Sequence, residues 1–292
     1  MLSRRKPEWL KIKIPQGSLS LHVGEVVRTH RLHTICASGL CPNQGECWAR
    51  GTATFMVGGD TCTRSCKFCH VKTGRPAPLD PNEPENVARS VKLLRLRHAV
   101  ITSVDRDDLP DLGAQHWVKV IQAVKAENPG TTMEALIPDF QGKKELVSLI
   151  LEARPEVVSH NLETVRRLSR SIRSRATYET SLEVIRQVAA SGITAKSGIM
   201  LGLGEAREEI IETMDDLRQA GCSVMTIGQY LQPSKANVAV AEYVPPEAFE
   251  EYGRIGKEKG FAHVESGPLV RSSYHADEQV GGAWDNLKPE AW

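Results

Sequence analysis

Eight residues, Cys62-Thr-Arg-Ser-Cys66-Lys-Phe-Cys69, constrain this chain more than any other stretch. Three thiols at the spacing C-x3-C-x2-C follow the glycine-rich turn Gly58-Gly59-Asp60, itself directly after the apolar run Thr54–Val57. Three closely spaced thiolates can hold three corners of a cubane iron–sulfur cluster. No fourth cysteine stands at matching spacing, so one iron would stay open to a ligand from outside the protein. An open position is the usual mark of a metal centre that does chemistry. The plain alternative is a structural zinc site, but zinc ribbons favour paired C-x2-C clusters with four ligands.

The ligand that suits such an open iron is the methionine end of S-adenosylmethionine (SAM), and the segment resembles the signature of the radical SAM superfamily. A second triplet precedes it, Cys36-Ala-Ser-Gly-Leu-Cys41-Pro-Asn-Gln-Gly-Glu-Cys47, with spacing C-x4-C-x5-C. Alone, that triplet could bind zinc together with a histidine such as His33. The two triplets in this order and spacing resemble those of lipoyl synthases. In that family the triplet matching Cys62, Cys66 and Cys69 holds the open cluster, and the one matching Cys36, Cys41 and Cys47 holds an auxiliary cluster. The chain has 7 cysteines, of which Cys222 alone falls outside these groups. Such crowding points to metal rather than disulfides in a reducing compartment. Cys222, before an apolar run, is expected to be a small buried hydrophobe.

Composition sets wider bounds. With 40% hydrophobic and 25% charged residues, the chain is expected to be globular and soluble. A formal net charge of +1 gives no argument for nucleic acid or an anionic membrane. No run approaches the length of a membrane span. The basic start Met1–Trp9 lacks the apolar stretch of a secretory signal, so a cytoplasmic protein is expected.

From residue 54 onward, short apolar runs alternate with amphipathic segments. Strands are predicted at Thr54–Val57, His98–Ser103, Thr132–Ile137, Glu156–His160, Ile193–Leu201 and Ser223–Tyr230. Helices are predicted near Glu85–Arg95, Ala114–Glu127, Lys143–Ala153, Leu162–Arg170, Thr180–Ala190 and Glu205–Ala220, with another at Glu247–Lys259. Val184, Ile185 and Val188 keep the stripe of a helix burying one face. Gly192 and Gly221 fall where a left-handed C-cap is wanted. Val23–Leu32 could form a short helix in an N-terminal stretch broken by Pro7, Pro15 and Gly17. Alternating strands and helices imply a parallel sheet. The predicted class is α/β, an open six-unit (β/α)6 partial TIM barrel with N- and C-terminal extensions, the form of the superfamily. Residues 1–53 would be an extension bearing the auxiliary cysteines, 54–240 the barrel, and 241–292 a C-terminal extension.

Loops after the strands carry function in such barrels. Thr102–Pro110 is either a solvated acidic loop or part of the site lining. Asn161 and Glu163 alternate on an extended backbone and could hydrogen-bond a ribose or amino group, or else cap a helix. The glycines of Gly198–Gly204 suit close packing, and Lys196 could point either into or out of the barrel.

The resemblance to lipoyl synthases runs from Arg5 through Asp277 and includes Thr226–Pro233. It implies that Cys62, Cys66 and Cys69 hold a catalytic [4Fe-4S] cluster beside Phe68, and that Asn161 and Glu163 face SAM. It implies equally that Cys36, Cys41 and Cys47 hold a second [4Fe-4S] cluster. Six cysteines and one open iron leave a single iron of the two cubanes without a ligand. The segment Arg271-Ser-Ser-Tyr274 matches the family motif that fills it. Residue chemistry does not choose between Ser272 and Ser273; the resemblance assigns Ser273. The implied reaction is insertion of two sulfurs, at C6 and C8 of an octanoyl-lysine, with the auxiliary cluster as sulfur donor. The implied partners are an octanoylated lipoyl carrier domain (2-oxoacid dehydrogenase E2 or glycine cleavage H protein) and a ferredoxin or flavodoxin. Departures from the family pattern are small: Ala-Ser-Gly-Leu between Cys36 and Cys41 lacks the usual charges, Gly58 replaces an apolar residue, and Arg166 replaces a proline. The competing readings are another sulfur-inserting radical SAM enzyme, of the biotin synthase or methylthiotransferase kind, or an iron–sulfur electron carrier.

Overall fold

The computed structural model describes residues 5–11, 18–50 and 52–279. Pro15 and Gly17 lie outside them. After helix α1 (Ser18–Thr29) come β1 (His33–Thr34) and two short helices, α2 (Ile35–Ser38) and α3 (Gln44–Ala49). Strand β2 (Phe55–Val57) leads to a two-stranded flap, β3 (Thr61–Cys62) with β4 (Lys72–Thr73). The alternating part follows as α4 (Glu83–Leu93), β5 (His98–Ser103), α5 (Ala114–Glu127), β6 (Thr132–Leu136) and α6 (Lys144–Glu152). It continues as β7 (Val157–Ser159), α7 (Arg166–Ile172), α8 (Tyr178–Ala190), β8 (Thr194–Leu201), α9 (Arg207–Gln219) and β9 (Val224–Gln229). Helix α10 (Pro246–Glu258) and strand β10 (His263–Gly267) complete the described elements.

The main sheet has the order β1-β2-β5-β6-β7-β8-β9-β10, with every pair parallel except β1–β2. The order is linear, so the sheet is an open, partial barrel. All six predicted strands are present within two residues of their expected ends. Besides the small flap of β3 and β4, two strands of the main sheet were not foreseen. β10 extends the parallel sheet beyond the six expected units, and β1 adds an antiparallel edge. Both are short, and β10 reads His-Val-Glu-Ser-Gly, too polar to stand out as a buried strand.

Local chemistry accounts for the rest. Trp117, Val120, Ile121 and Val124 lie at helical spacing in α5, and all four are buried against the sheet. Thr177 caps α8, its hydroxyl accepting from the Thr180 amide at 3.0 Å. Gly192 and Gly221 do adopt left-handed φ values, +81° and +84°. Cys222 is fully buried in the core, as expected of a structural thiol. Lys196 points into the barrel, where its ammonium meets Glu134 at 2.8 Å, and Ser159 donates to the same carboxylate at 2.8 Å. A buried charge so paired is satisfied, which makes Lys196 part of the barrel's interior network. Among the described residues no helix is long and apolar enough to cross a membrane.

Candidate functional site

The first thiol triplet is held at the end of β2 by two opposed backbone contacts of one residue, Gly58. The Gly58 amide donates to Glu83 at 2.8 Å, and Arg106 donates to the Gly58 carbonyl at 3.0 Å. His116 braces the same Glu83 carboxylate at 2.5 Å. Beyond the turn, Cys62 receives N–H donors from Arg64 at 3.4 Å and Asp105 at 3.3 Å, while Cys69 receives the Val71 amide at 3.4 Å. N–H···S bonds of this type tune a bound cluster's potential. The loop is also tied to distant elements. The Lys67 amide reaches the Ile172 carbonyl at 2.8 Å, and the Asn237 side chain donates to the Cys69 carbonyl at 2.8 Å.

The second triplet rests on α2 and α3. The Cys41 amide returns to the Cys36 carbonyl at 2.9 Å, and the Cys47 amide to Asn43 at 2.9 Å, which curls the stretch into a compact bowl. The C-terminal segment closes over that bowl. Asn43 donates to the Leu269 carbonyl at 2.7 Å, Thr54 donates to the Ser273 hydroxyl at 2.8 Å, and Tyr274 donates to Glu46 at 3.1 Å. Ser273, more than 200 residues on in sequence, thus stands beside Cys36, Cys41 and Cys47.

A cavity of about 360 Å³ is lined by Cys36, Cys41, Cys62, Cys66, Cys69 and Ser273, and also by Phe68, Asn161 and Glu163. Cys47 is set apart from it. It lines an adjoining cavity of about 230 Å³, with Cys36, Cys41 and Ser273 in the shared wall. The donor set fits the two clusters. Burial pushes the Cys47 and Cys62 thiols up to about 12 and Cys69 up to about 11; it also raises Cys36 and Cys41. Thiolates gathered in such places need a metal's charge to replace the proton. Among the described residues no three His, Cys, Asp or Glu side chains are grouped as ligands to one ion. The thiols face cavities instead.

Asn161 and Glu163 do not cap a helix. α7 begins only at Arg166, after Val165, and carries no side-chain cap. Both residues line the cavity, and Glu163 holds a left-handed φ of +68°. Such a conformation is strained for a non-glycine residue and is found mainly where function requires it. Its backbone is fixed from both sides, the amide to Gly198 at 3.0 Å and the carbonyl from Met200 at 2.9 Å. Burial raises the Glu163 carboxyl, opposed by the nearby Arg173 guanidinium. Of the Thr102–Pro110 loop, Thr102 through Asp105 line the cavity. Gly198 also lines it, and it packs tightly, since a Cβ there would meet the Thr226 hydroxyl at 2.3 Å.

Several lining or bracing residues carried no clear signal in the sequence: Arg64, Asp139, His160 and Arg173. Each is polar, and only the fold shows that each is enclosed. His160 is one such case. Its ring bonds the Ile137 carbonyl and Ser181, both at 2.9 Å, and burial followed by the Arg173 charge lowers it to about 4. A histidine held neutral loses stability as pH falls, because the unfolded chain binds the proton first, near 6.5. The loss begins near pH 6.5, is complete near pH 4 and amounts to about 3 kcal/mol. Urea unfolding at several pH values should show that slope, and His160→Gln should flatten it. An unchanged slope in the variant would refute the assignment.

A family model for the radical SAM superfamily matches residues 56–217. The chain is 66% identical over 278 residues to the lipoyl synthase of Treponema denticola, covering 95% of this chain and 96% of that protein. It is 62% identical to the lipoyl synthase of Bacteroides fragilis, covering 94% and 96%, and 60% identical to that of Phocaeicola vulgatus, covering 94% and 97%. Among solved structures, HydG, a maturase of the [FeFe]-hydrogenase, superposes with a TM-score of 0.57 at 11% identity, over 84% of this chain and 62% of that one. Streptococcus suis SuiB, solved bound to S-adenosylmethionine, gives 0.54 at 12% identity, over 74% and 50%. These distant likenesses speak for the fold. With two thiol triplets and a serine-bearing C-terminal segment around two adjoining cavities, and 60–66% identity to the relatives above along nearly its whole length, the chain belongs to the lipoyl synthase family of the radical SAM superfamily.

Proposed function

We propose that this enzyme inserts sulfur at C6 and C8 of an octanoyl group borne on a lysine of a lipoyl carrier domain. Both triplets would hold [4Fe-4S] clusters, Cys62, Cys66 and Cys69 the one that binds SAM, and Cys36, Cys41, Cys47 and Ser273 the auxiliary one. When bound, these groups supply hydrogen-atom abstraction through SAM, and sulfur. The observation that carries the reading is that thiols of both triplets line one cavity. An acyl chain lying there would meet both centres.

The chain's own residues position the reactants and exclude water. Met56, Val104, Ile137 and Ile199 give the cavity apolar walls suited to an alkyl chain. Unactivated C–H bonds offer no proton for an acid or base to move, so orientation and protection of a reactive centre are what the protein can add. Asn161 and Glu163 supply polar groups for the ribose or amino end of SAM, and Phe68 packs by Ile172, Leu203 and Tyr230 beside them. Ser273 offers oxygen to an iron that prefers sulfur, which suits a cluster meant to give up its sulfide. The carrier would be a 2-oxoacid dehydrogenase E2 or glycine cleavage H protein, with electrons from a ferredoxin or flavodoxin, in the cytoplasm.

The test is anaerobic. Reconstituted protein, SAM, a strong reductant and an octanoyl-lysyl peptide should give mass gains of first one and then two sulfurs, with 5′-deoxyadenosine. Deoxyadenosine without sulfur gain would move the substrate elsewhere; neither product from iron-filled protein would end the enzyme reading. In the same assay Ser273→Cys should keep the auxiliary iron but form product about tenfold more slowly, a barrier change of about 1.4 kcal/mol. Wild-type turnover in that variant would show that the oxygen ligand is immaterial.

A further inference from the structure

Ser272 and Ser273 are adjacent, yet their hydroxyls engage opposite sides of the site. Ser273 accepts from Thr54, next to the auxiliary thiols, at 2.8 Å. Ser272 accepts from the Asn161 side-chain nitrogen, on the loop after β7, at 2.6 Å. Asn161 is 9% exposed, and its carbonyl oxygen Oδ1 is buried with no hydrogen-bond partner among the described residues. An orphaned buried acceptor is costly unless a ligand donates to it. Because the amide nitrogen is occupied by Ser272, that oxygen is left to a donor in the cavity, such as a hydroxyl or ammonium group.

We infer that Ser272 is a positioning residue, which orients Asn161 toward SAM and so couples SAM binding to ligation of the auxiliary cluster through Ser273. The inference rests on the roles of Asn161 and Ser273 proposed above. The C-terminal strap, Leu269–Tyr274, offers little play between its two anchors, since the Leu269 carbonyl is fixed by Asn43 at 2.7 Å and the Tyr274 hydroxyl by Glu46 at 3.1 Å. Filling the auxiliary site therefore orders Ser272, and Ser272 orders Asn161. Coupling of this kind is reciprocal, so SAM should also steady the auxiliary ligands.

The test is a binding cycle on full-length protein with iron content measured, not a rate. SAM affinity is read by calorimetry in the wild type, in S272A, in a protein lacking auxiliary thiols (Cys36→Ala, Cys41→Ala, Cys47→Ala), and in the combination. Losing one neutral hydrogen bond should weaken SAM about fivefold in S272A. Removing the auxiliary thiols should weaken it by a similar factor, and the combination should be no worse than either alone. S272T, which keeps the hydroxyl, should bind as the wild type does, where a mere packing defect would not be rescued. Equal SAM affinity in S272A and wild type, or losses that multiply in the combination, would overturn the coupling. Failure of the wild type itself to bind SAM would instead remove the functional reading on which it stands.

Discussion

Replacing Arg64 with methionine is expected to cost the fold about 3–5 kcal/mol, the usual penalty for leaving buried charge without its partner, and to strip iron from the first triplet. The Arg64 side chain is 4% exposed and sits among three carboxylates: Asp107 at 2.8 Å, Asp139 at 2.9 Å and Asp105 at 3.3 Å. Asp107 is bound through two parallel contacts, both 2.8 Å long. Asp105 and Asp107 follow β5, and Asp139 follows β6. One guanidinium therefore fastens the cluster loop to the ends of two further strands and neutralises acids that would otherwise repel the thiolates. The hydrogen bond from Arg64 holds the Asp107 carboxyl down at about 2, against an ordinary 3.8. Its contribution is thus fully present above pH 3.8 and lost as pH falls through 2. Arg64→Lys should recover part of the stability, since an ammonium keeps the charge but not the planar fork. Urea unfolding at neutral pH and iron per chain are the measurements. A loss below about 1 kcal/mol, typical of an exposed ion pair, with iron retained, would mean that the clamp is dispensable.

Arg64 also shows where reading the sequence stops. It stands inside the motif that defines the protein, yet no local pattern says that an arginine between two cysteines is buried, or that its partners lie some 40 and 75 residues further on. Strand and helix periodicity are local properties, and there the agreement is close: His98–Ser103 and Ala114–Glu127 begin and end where their patterns do. Thiol spacing is local as well, so each triplet is legible as a ligand set. Which residues complete a site depends on chain closure. Ser273 could be paired with the auxiliary thiols only by resemblance, and the hydrogen bond between Asn161 and Ser272 has no sequence signature at all. The choice between capping and cavity for Asn161 and Glu163 needed the actual start of α7, which falls at Arg166 rather than at Leu162. Helix ends are the least determined part of a periodic pattern. β10 was missed for another reason: at the sheet's edge, with Val264 its one buried residue, it needs little apolar character.

Gly228→Ala should uncouple the two halves of the site. Gly228 lies in β9, paired with Gly267 of β10 and Met200 of β8. A Cβ at this position would stand 2.1 Å from the Val270 carbonyl oxygen and 3.0 Å from its carbon. Those are backbone atoms, so no side-chain rotation relieves the clash, and the strap from Val270 to Ser273 must move away. Overpacking of this kind costs about 1–3 kcal/mol, too little to unfold a domain of this size. The consequence falls on the contacts that depend on the strap's position, the 2.7 Å bond from Asn43 to Leu269 and the 2.8 Å bond from Thr54 to Ser273. With Ser273 displaced, Cys36, Cys41 and Cys47 would lose the fourth ligand proposed for their cluster, while the site at Cys62, Cys66 and Cys69 would keep its thiols. The variant should hold iron for about one cluster instead of two, and still produce deoxyadenosine. Sulfur inserted per deoxyadenosine should fall by about tenfold or more, as expected when a reacting group is moved by an ångström or so. Gly130→Ala is the control, since a Cβ there meets nothing within 4 Å and the backbone is not left-handed. Two full clusters and normal sulfur yield in Gly228→Ala would show that the strap's seat against β9 does not govern the auxiliary site. Loss of deoxyadenosine along with sulfur would show that the damage had spread to the first triplet, and that the strap supports both centres.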